Sequence, residues 1–111
     1  MIYFIEIWNA KPSWLALSTE ERANYMGQIG PHIQGLLEQG VKVLTWSNND
    51  TNTTEKASFD YFAIWTFPNQ ELADDFQQLV AGAGWYNYFE QKNLMGKEDT
   101  VQNVIGQLIS L

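Results

Sequence analysis

Three observations predict an α+β fold with one four-stranded antiparallel sheet and two main helices on one of its faces. Apolar residues repeat at every second position in short segments, and at helical spacing in the longer segments between them. The segments follow the order β-α-β-β-α-β, with a short helix after the last strand. The chain has 111 residues, the size of one domain.

Ile2 to Trp8 reads as the first strand. Tyr3, Ile5 and Ile7 lie on one face, and Ile2, Phe4, Glu6 and Trp8 on the other. Asn9 to Leu17 reads as a loop. Ser18 to Glu21 has the pattern of a capping box, in which the Ser hydroxyl accepts from a backbone N–H and Glu21 reaches back. A helix follows, with Met26, Ile29, Ile33, Leu36 and Leu37 at helical spacing, and Gly40 ends it. Pro31 removes one backbone hydrogen bond and crowds the carbonyl of Gly27, so a kink or two shorter helices meeting at Gly30 are expected.

Val41 to Ser47 and Phe59 to Phe67 read as the next two strands, joined by the polar loop Asn48 to Ser58. A second helix starts at Pro68-Asn69 and buries Leu72, Phe76, Leu79, Val80 and Ala83; Gly82 and Gly84 end it. Tyr86 to Asn93 reads as the fourth strand. Asp99 is expected to cap a last helix, with Gln102 at the capping-box position. That helix is expected to bury Val101, Val104, Ile105, Leu108 and Ile109. The order is that of the ferredoxin-like arrangement.

Composition excludes several function classes. The net charge of -7 argues against phosphate-backbone binding, which needs clustered Lys and Arg, and against an anionic membrane surface. With no cysteine there is no disulfide, thiolate metal site or cysteine nucleophile. No apolar run approaches the roughly 18 residues of a membrane span. No basic, then apolar, leader opens the sequence, so a cytoplasmic protein is expected. No P-loop, dinucleotide fingerprint or G-x-S-x-G motif is present, and neither metal nor cofactor is expected.

The strands predict a partner. A sheet with one wet face alternates apolar and polar residues. Here the first strand is apolar on both faces apart from Glu6. The third carries Phe59, Tyr61, Ala63, Trp65 and Phe67 on one face and Phe62 and Ile64 on the other. Two helices cover one face only, and the other would be a larger apolar patch than monomers normally tolerate. A homodimer through the sheet face, two-fold symmetric, is expected.

Three stretches carry a resemblance: WNAKPSWLALSTEER from Trp8 to Arg22, HIQGLLEQGVKVLTW from His32 to Trp46, and GWYNYFEQKN from Gly84 to Asn93. Over nearly its whole length the chain resembles the dimeric α+β barrel superfamily, and within it an uncharacterised branch, a domain of unknown function. The middle stretch is also similar to the YCII-related members. The resemblance implies two ferredoxin-like protomers packed sheet to sheet around a small-molecule pocket. The superfamily holds cofactorless monooxygenases, haem-degrading enzymes, isomerases, ether-degradation proteins and non-catalytic ligand binders.

His32 and Glu6 are the catalytic candidates. His32 is the only histidine, a residue type suited to general acid or base work; it can equally be a helix residue bonded to its neighbours. Glu6 lies between Phe4 and Trp8 on one strand face. In an apolar cavity its pKa would rise, and it would orient His32 or abstract a proton. At an edge it would reach water or pair with Lys42. Trp8, Trp46, Phe62 and Trp65 are candidate walls for a flat ligand, or else dimer core. Asn9, with Trp65 and His32, is a further ligand-facing candidate by similarity to the haem-degrading members. Those members place their His on the second helix, and residues 70–83 here contain none.

Two functions are therefore expected to compete. One is a homodimeric α+β barrel protein that binds a small apolar or aromatic molecule, as a cofactorless monooxygenase- or isomerase-like enzyme. The other is a non-catalytic ligand-binding or assembly module whose aromatic sheet face is only the dimer interface.

Overall fold

The computed structural model describes residues 1–111. Its elements are β1 (Ile2–Ala10), α1 (Pro12–Leu15), α2 (Thr19–Leu37), β2 (Lys42–Asn48), β3 (Tyr61–Phe67), α3 (Gln70–Gly82), α4 (Trp85–Tyr88), β4 (Phe89–Lys97) and α5 (Val101–Ile109). The strands form one sheet in the order β2-β3-β1-β4, with every neighbouring pair antiparallel. This is the ferredoxin-like α+β arrangement expected from the sequence.

Register places the residues of each face opposite one another. Ile2 pairs with Phe67, Phe4 with Trp65, Glu6 with Ala63 and Trp8 with Tyr61, so these eight share the inner, helix-covered face. Phe4, Phe67 and Phe76 of α3 meet edge to face or tilted, with ring centroids 5.3–6.2 Å apart. Trp65 packs on Phe76 at 4.7 Å. Tyr3, Ile5 and Ile7 of β1 face outward beside Phe62 and Ile64 of β3.

An irregularity in β2 matters for the site. Val43 pairs with Trp65 and Trp46 with Ala63, so one extra residue is absorbed around Leu44. Simple alternation would send Val43 and Trp46 to opposite faces. The bulge brings both to the inner face and delivers Trp46 beside the centre of the sheet.

The capping box at Ser18 and Glu21 is present, with bonds of 2.9 and 3.1 Å. Gly40, at φ 95°, supplies the left-handed residue that turns the chain from α2 into β2. Three expectations are corrected. The division at Gly30 does not occur: α2 runs through Pro31 as one helix. The fourth strand starts at Phe89, three residues late, because Gly84 at φ 77° opens the helical turn Trp85–Tyr88. Helical spacing then puts Trp85 and Phe89 on one side, where they stack at 4.1 Å. Lastly, Thr100, not Asp99, caps α5, and none of its five apolar residues is buried. Nothing in the fold packs down on them. No helix is long and apolar enough to cross a membrane.

Candidate functional site

Glu6 is the one buried charged residue, only 4% exposed in the middle of the central strand β1. Such burial disfavours the charged form, so the Glu6 carboxyl titrates above its ordinary value of 4.5. Hydrogen bonds from Gln91 and Trp65 pull partly the other way. Trp65 Nε1 donates to Oε1 at 2.7 Å, and Gln91 Nε2 donates to Oε2 at 2.7 Å. No Lys, Arg or His side chain reaches it.

Gln91 is itself fixed. Its Oε1 accepts from Trp85 Nε1 at 2.7 Å, and its Nε2 also donates to Asn93 Oδ1 at 2.8 Å. The amide can then stand only one way round, with nitrogen toward Glu6. Strand geometry explains the reach. Gln91 pairs with Trp8 on the ladder, so it is the diagonal neighbour of Glu6. Trp85 is held by its own turn. Lys11 Nζ and Ser13 Oγ, around α1, donate to the carbonyls of Tyr86 and Asn87, both at 2.6 Å.

Glu6 opens on a cleft lined also by Ile29 and Ile33 of α2, Trp46, Trp65, Phe76, Leu79, Val80, Ala83 and Trp85. Glu6 is the only polar residue among those ten. Counted out to its mouth the cleft has about 380 Å³, but it offers only about 30 Å³ to the centres of water-sized molecules. That is room for a few waters and not for an aromatic ring. Across the sheet Ala63 stands between Glu6 and Trp46, paired with both. Helix α2 forms the far wall and buries only Leu36, so it is the element whose shift would widen the space.

The expected site residues separate. Glu6, Trp46 and Trp65 come together in the cleft. Trp8 stands behind it, 5.0 Å from Trp46 and 6.1 Å from Trp85 between ring centroids. Phe62 lies on the opposite face of the sheet. Asn9 clamps the long hairpin loop: its Nδ2 donates to the Ser58 carbonyl at 3.0 Å, and its Oδ1 accepts from the Asp60 N–H at 2.8 Å. His32 is exposed on α2, next to Ile33 but outside the lining, and makes no hydrogen bond to Glu6. Sequence reasoning missed Trp85 and Gln91. Trp85 fell between the expected second helix and fourth strand, and the helical turn that directs its ring inward was not foreseen. Gln91 carried no signal beyond its parity with Phe89. No three His, Cys, Asp or Glu side chains converge as metal ligands would.

Comparison with solved structures supports the fold. A protein named provisionally as a chlorite dismutase, TA0507, superposes with a TM-score of 0.68 at 14% identity. The match covers 96% of this chain and 48% of that one, so the chain spans about half the length of that protein. An uncharacterised NIPSNAP domain protein from Burkholderia xenovorans matches over 91% of this chain and 97% of its own, at 11% identity and a TM-score of 0.47. The 5-chloro-2-hydroxyhydroquinone dehydrochlorinase TftG from Burkholderia phenoliruptrix AC1100, in complex with 2,5-dihydroxybenzoquinone, matches over 93% and 98%, at 16% identity and 0.45. None of the curated proteins matches the sequence. A family model matches residues 1–111 in full, and the chain belongs to that family of unknown function, DUF6616.

Proposed function

We propose that the protein is a homodimer that binds a small apolar or aromatic molecule in the cleft between α2, α3 and the sheet. Glu6 is its single polar contact and its acid/base group. One observation carries this reading: a buried carboxylate, held by two N–H donors, is the only polar residue in an otherwise apolar lining. A group with no catalytic or binding use at that position costs stability through its desolvation.

The same geometry restricts the ligand. When Glu6 is ionised each oxygen already accepts one bond, and its free lone pairs can only accept another. The bound molecule therefore has an apolar body and a hydrogen-bond donor, such as a phenol, an enol or an amine. A carboxylate raised toward neutrality suits proton abstraction and return, the chemistry of an isomerase or of a cofactorless oxygenase. Successive helical residues stand about 100° apart, so partnership of His32 with Glu6 requires α2 to roll about its axis. The homodimer rests on the outer sheet face, where Tyr3, Ile5, Ile7, Phe62 and Ile64 have no helix over them.

The second reading, a binding or assembly module without catalysis, is favoured by how little of the cleft is empty. Thermal-shift titration with phenol, hydroquinone, benzylamine and toluene tests the first. Donor-headed probes should stabilise the wild type and lose that effect in Glu6→Gln, while toluene is indifferent to the change. Equal stabilisation by all four probes in both proteins would remove Glu6 from recognition.

A further inference from the structure

We infer that α5 is an exchanged element: it seats its apolar face on the outer sheet face of a second copy of the chain. This rests on the homodimer proposed above and goes beyond it, because a sheet-to-sheet dimer needs no helix at its edge.

Helix α5 has the composition of a buried element in an exposed place. From Val101 to Leu111 there is no charged side chain. Val101, Val104, Ile105, Leu108 and Ile109 are 45–79% exposed. The cost appears in the overall shape. The radius of gyration is 16.1 Å, whereas a compact chain of this length has about 13 Å.

The junction holds α5 off its own domain. Glu98 N–H donates to the Met1 carbonyl at 3.0 Å, which extends the β1–β4 ladder to the last residues before the helix. Thr100 Oγ1 then accepts from Asn103 N–H at 3.1 Å, and Asp99 Oδ1 accepts from Thr100 N–H and Asn103 Nδ2 at 2.7 and 2.9 Å. The linker between strand and helix is only three residues, Glu98 to Thr100, and its first is bonded to Met1, just ahead of β1. The bonds at Asp99 and Thr100 stay within residues 99–103 and fix the start of the helix, while the Glu98–Met1 bond carries the strand pairing up to it.

The outer sheet face is an apolar surface of matching character that no helix covers. On its edge strand β4, Leu94 is 67% exposed and pairs with Ile5. Nine helical residues extend about 13 Å, and a strand of the same number about 30 Å. One α5 therefore covers part of that face and leaves the rest for the opposing sheet. Two-fold symmetry uses both surfaces twice. The exposed side chains of α5 and the sheet face amount to several hundred Å² per chain, in the range of the roughly 800 Å² that each partner contributes to a standard interface. A foreign partner would satisfy one surface and leave the other bare.

Sedimentation equilibrium and hydrogen exchange of the full chain, as wild type and as Ile105→Lys/Leu108→Lys, test the inference. Both positions are exposed in the single chain, so the variant folds, and circular dichroism verifies that. The wild type should dimerise, with α5 amides protected only at concentrations where dimer forms. The variant should dimerise about a hundredfold more weakly, tenfold for each apolar anchor lost. An unchanged dimer with unprotected α5 amides would overturn the exchange and leave the sheet-face dimer standing. Protection of α5 that does not depend on concentration would show docking on its own chain and overturn it too. A monomer at every concentration would overturn the dimer itself.

Discussion

The two faces of the sheet are written in almost the same alphabet and have opposite fates. On β1 the inner face reads Ile2, Phe4, Glu6, Trp8 and the outer Tyr3, Ile5, Ile7. The inner set is buried under α2 and α3, and the outer set is only partly covered by its neighbours in the sheet. The difference between them is one carboxylate and a layer of helices. Apolar content alone therefore does not locate a core. On the buried face the charged residue of β1 opens on the cleft, and on the uncovered face the apolar residues have no helix over them.

The largest expected effect that separates the faces comes from Trp65→Ala. It removes a fully buried ring together with a donor to Glu6, and should cost about 3–5 kcal/mol in urea unfolding. A loss under about 1 kcal/mol would mean that the inner face is not the core. Gln91→Ala is expected to follow. It leaves Trp85 Nε1–H without an acceptor and should cost about 1–3 kcal/mol. It should also push the Glu6 carboxyl further up, since the Gln91 bond is one of the two that lower it. Carboxyl chemical shifts followed by NMR as a function of pH report that change.

Third is the pH dependence itself. Burial holds the folded pKa of Glu6 above its ordinary 4.5. Folding therefore favours the protonated form: that stabilisation is complete below pH 4.5 and is lost as pH rises through the folded pKa. The stability of wild type relative to Glu6→Gln should accordingly improve as pH falls from neutrality toward 4.5. A difference that is flat across that range would mean that Glu6 is not desolvated. The smallest effect is on the outer face. Leu94→Ala should change the stability of the single chain by less than about 0.5 kcal/mol, measured at concentrations below dimer formation. A larger cost would show that the face is already covered within one chain.

Much of this was legible in the amino-acid sequence. Period-two alternation assigned Ile2, Phe4, Glu6 and Trp8 to one face, and helical spacing found Leu72 and Phe76, which α3 buries, while Leu79, Val80 and Ala83 are half-buried at the cleft. Glu6 stood out as the one charged position in an apolar strand. What failed had local causes. The bulge at Leu44 shifts parity without a Gly or Pro to announce it. Gly84 looked like a helix stop, whereas its positive φ starts another turn. Asn9 was read as facing a ligand because its two amide bonds to the 58–60 loop depend on a contact about 50 residues away in sequence. The apolar residues of α5 were expected to be buried, and periodicity does not say against which chain.

The central claim is that a donor-headed molecule enters the inner face and meets Glu6. The most direct measurement follows the indole N–H resonances of Trp65 and Trp85 in ¹⁵N-labelled protein during titration with phenol and, separately, with toluene. The account predicts that phenol moves the Trp65 signal, which shares the Glu6 carboxylate, and the Trp85 signal through Gln91, and that neither responds in this way in Glu6→Gln. Indole signals that stay fixed up to millimolar phenol, or that move alike for both probes and both proteins, would contradict it.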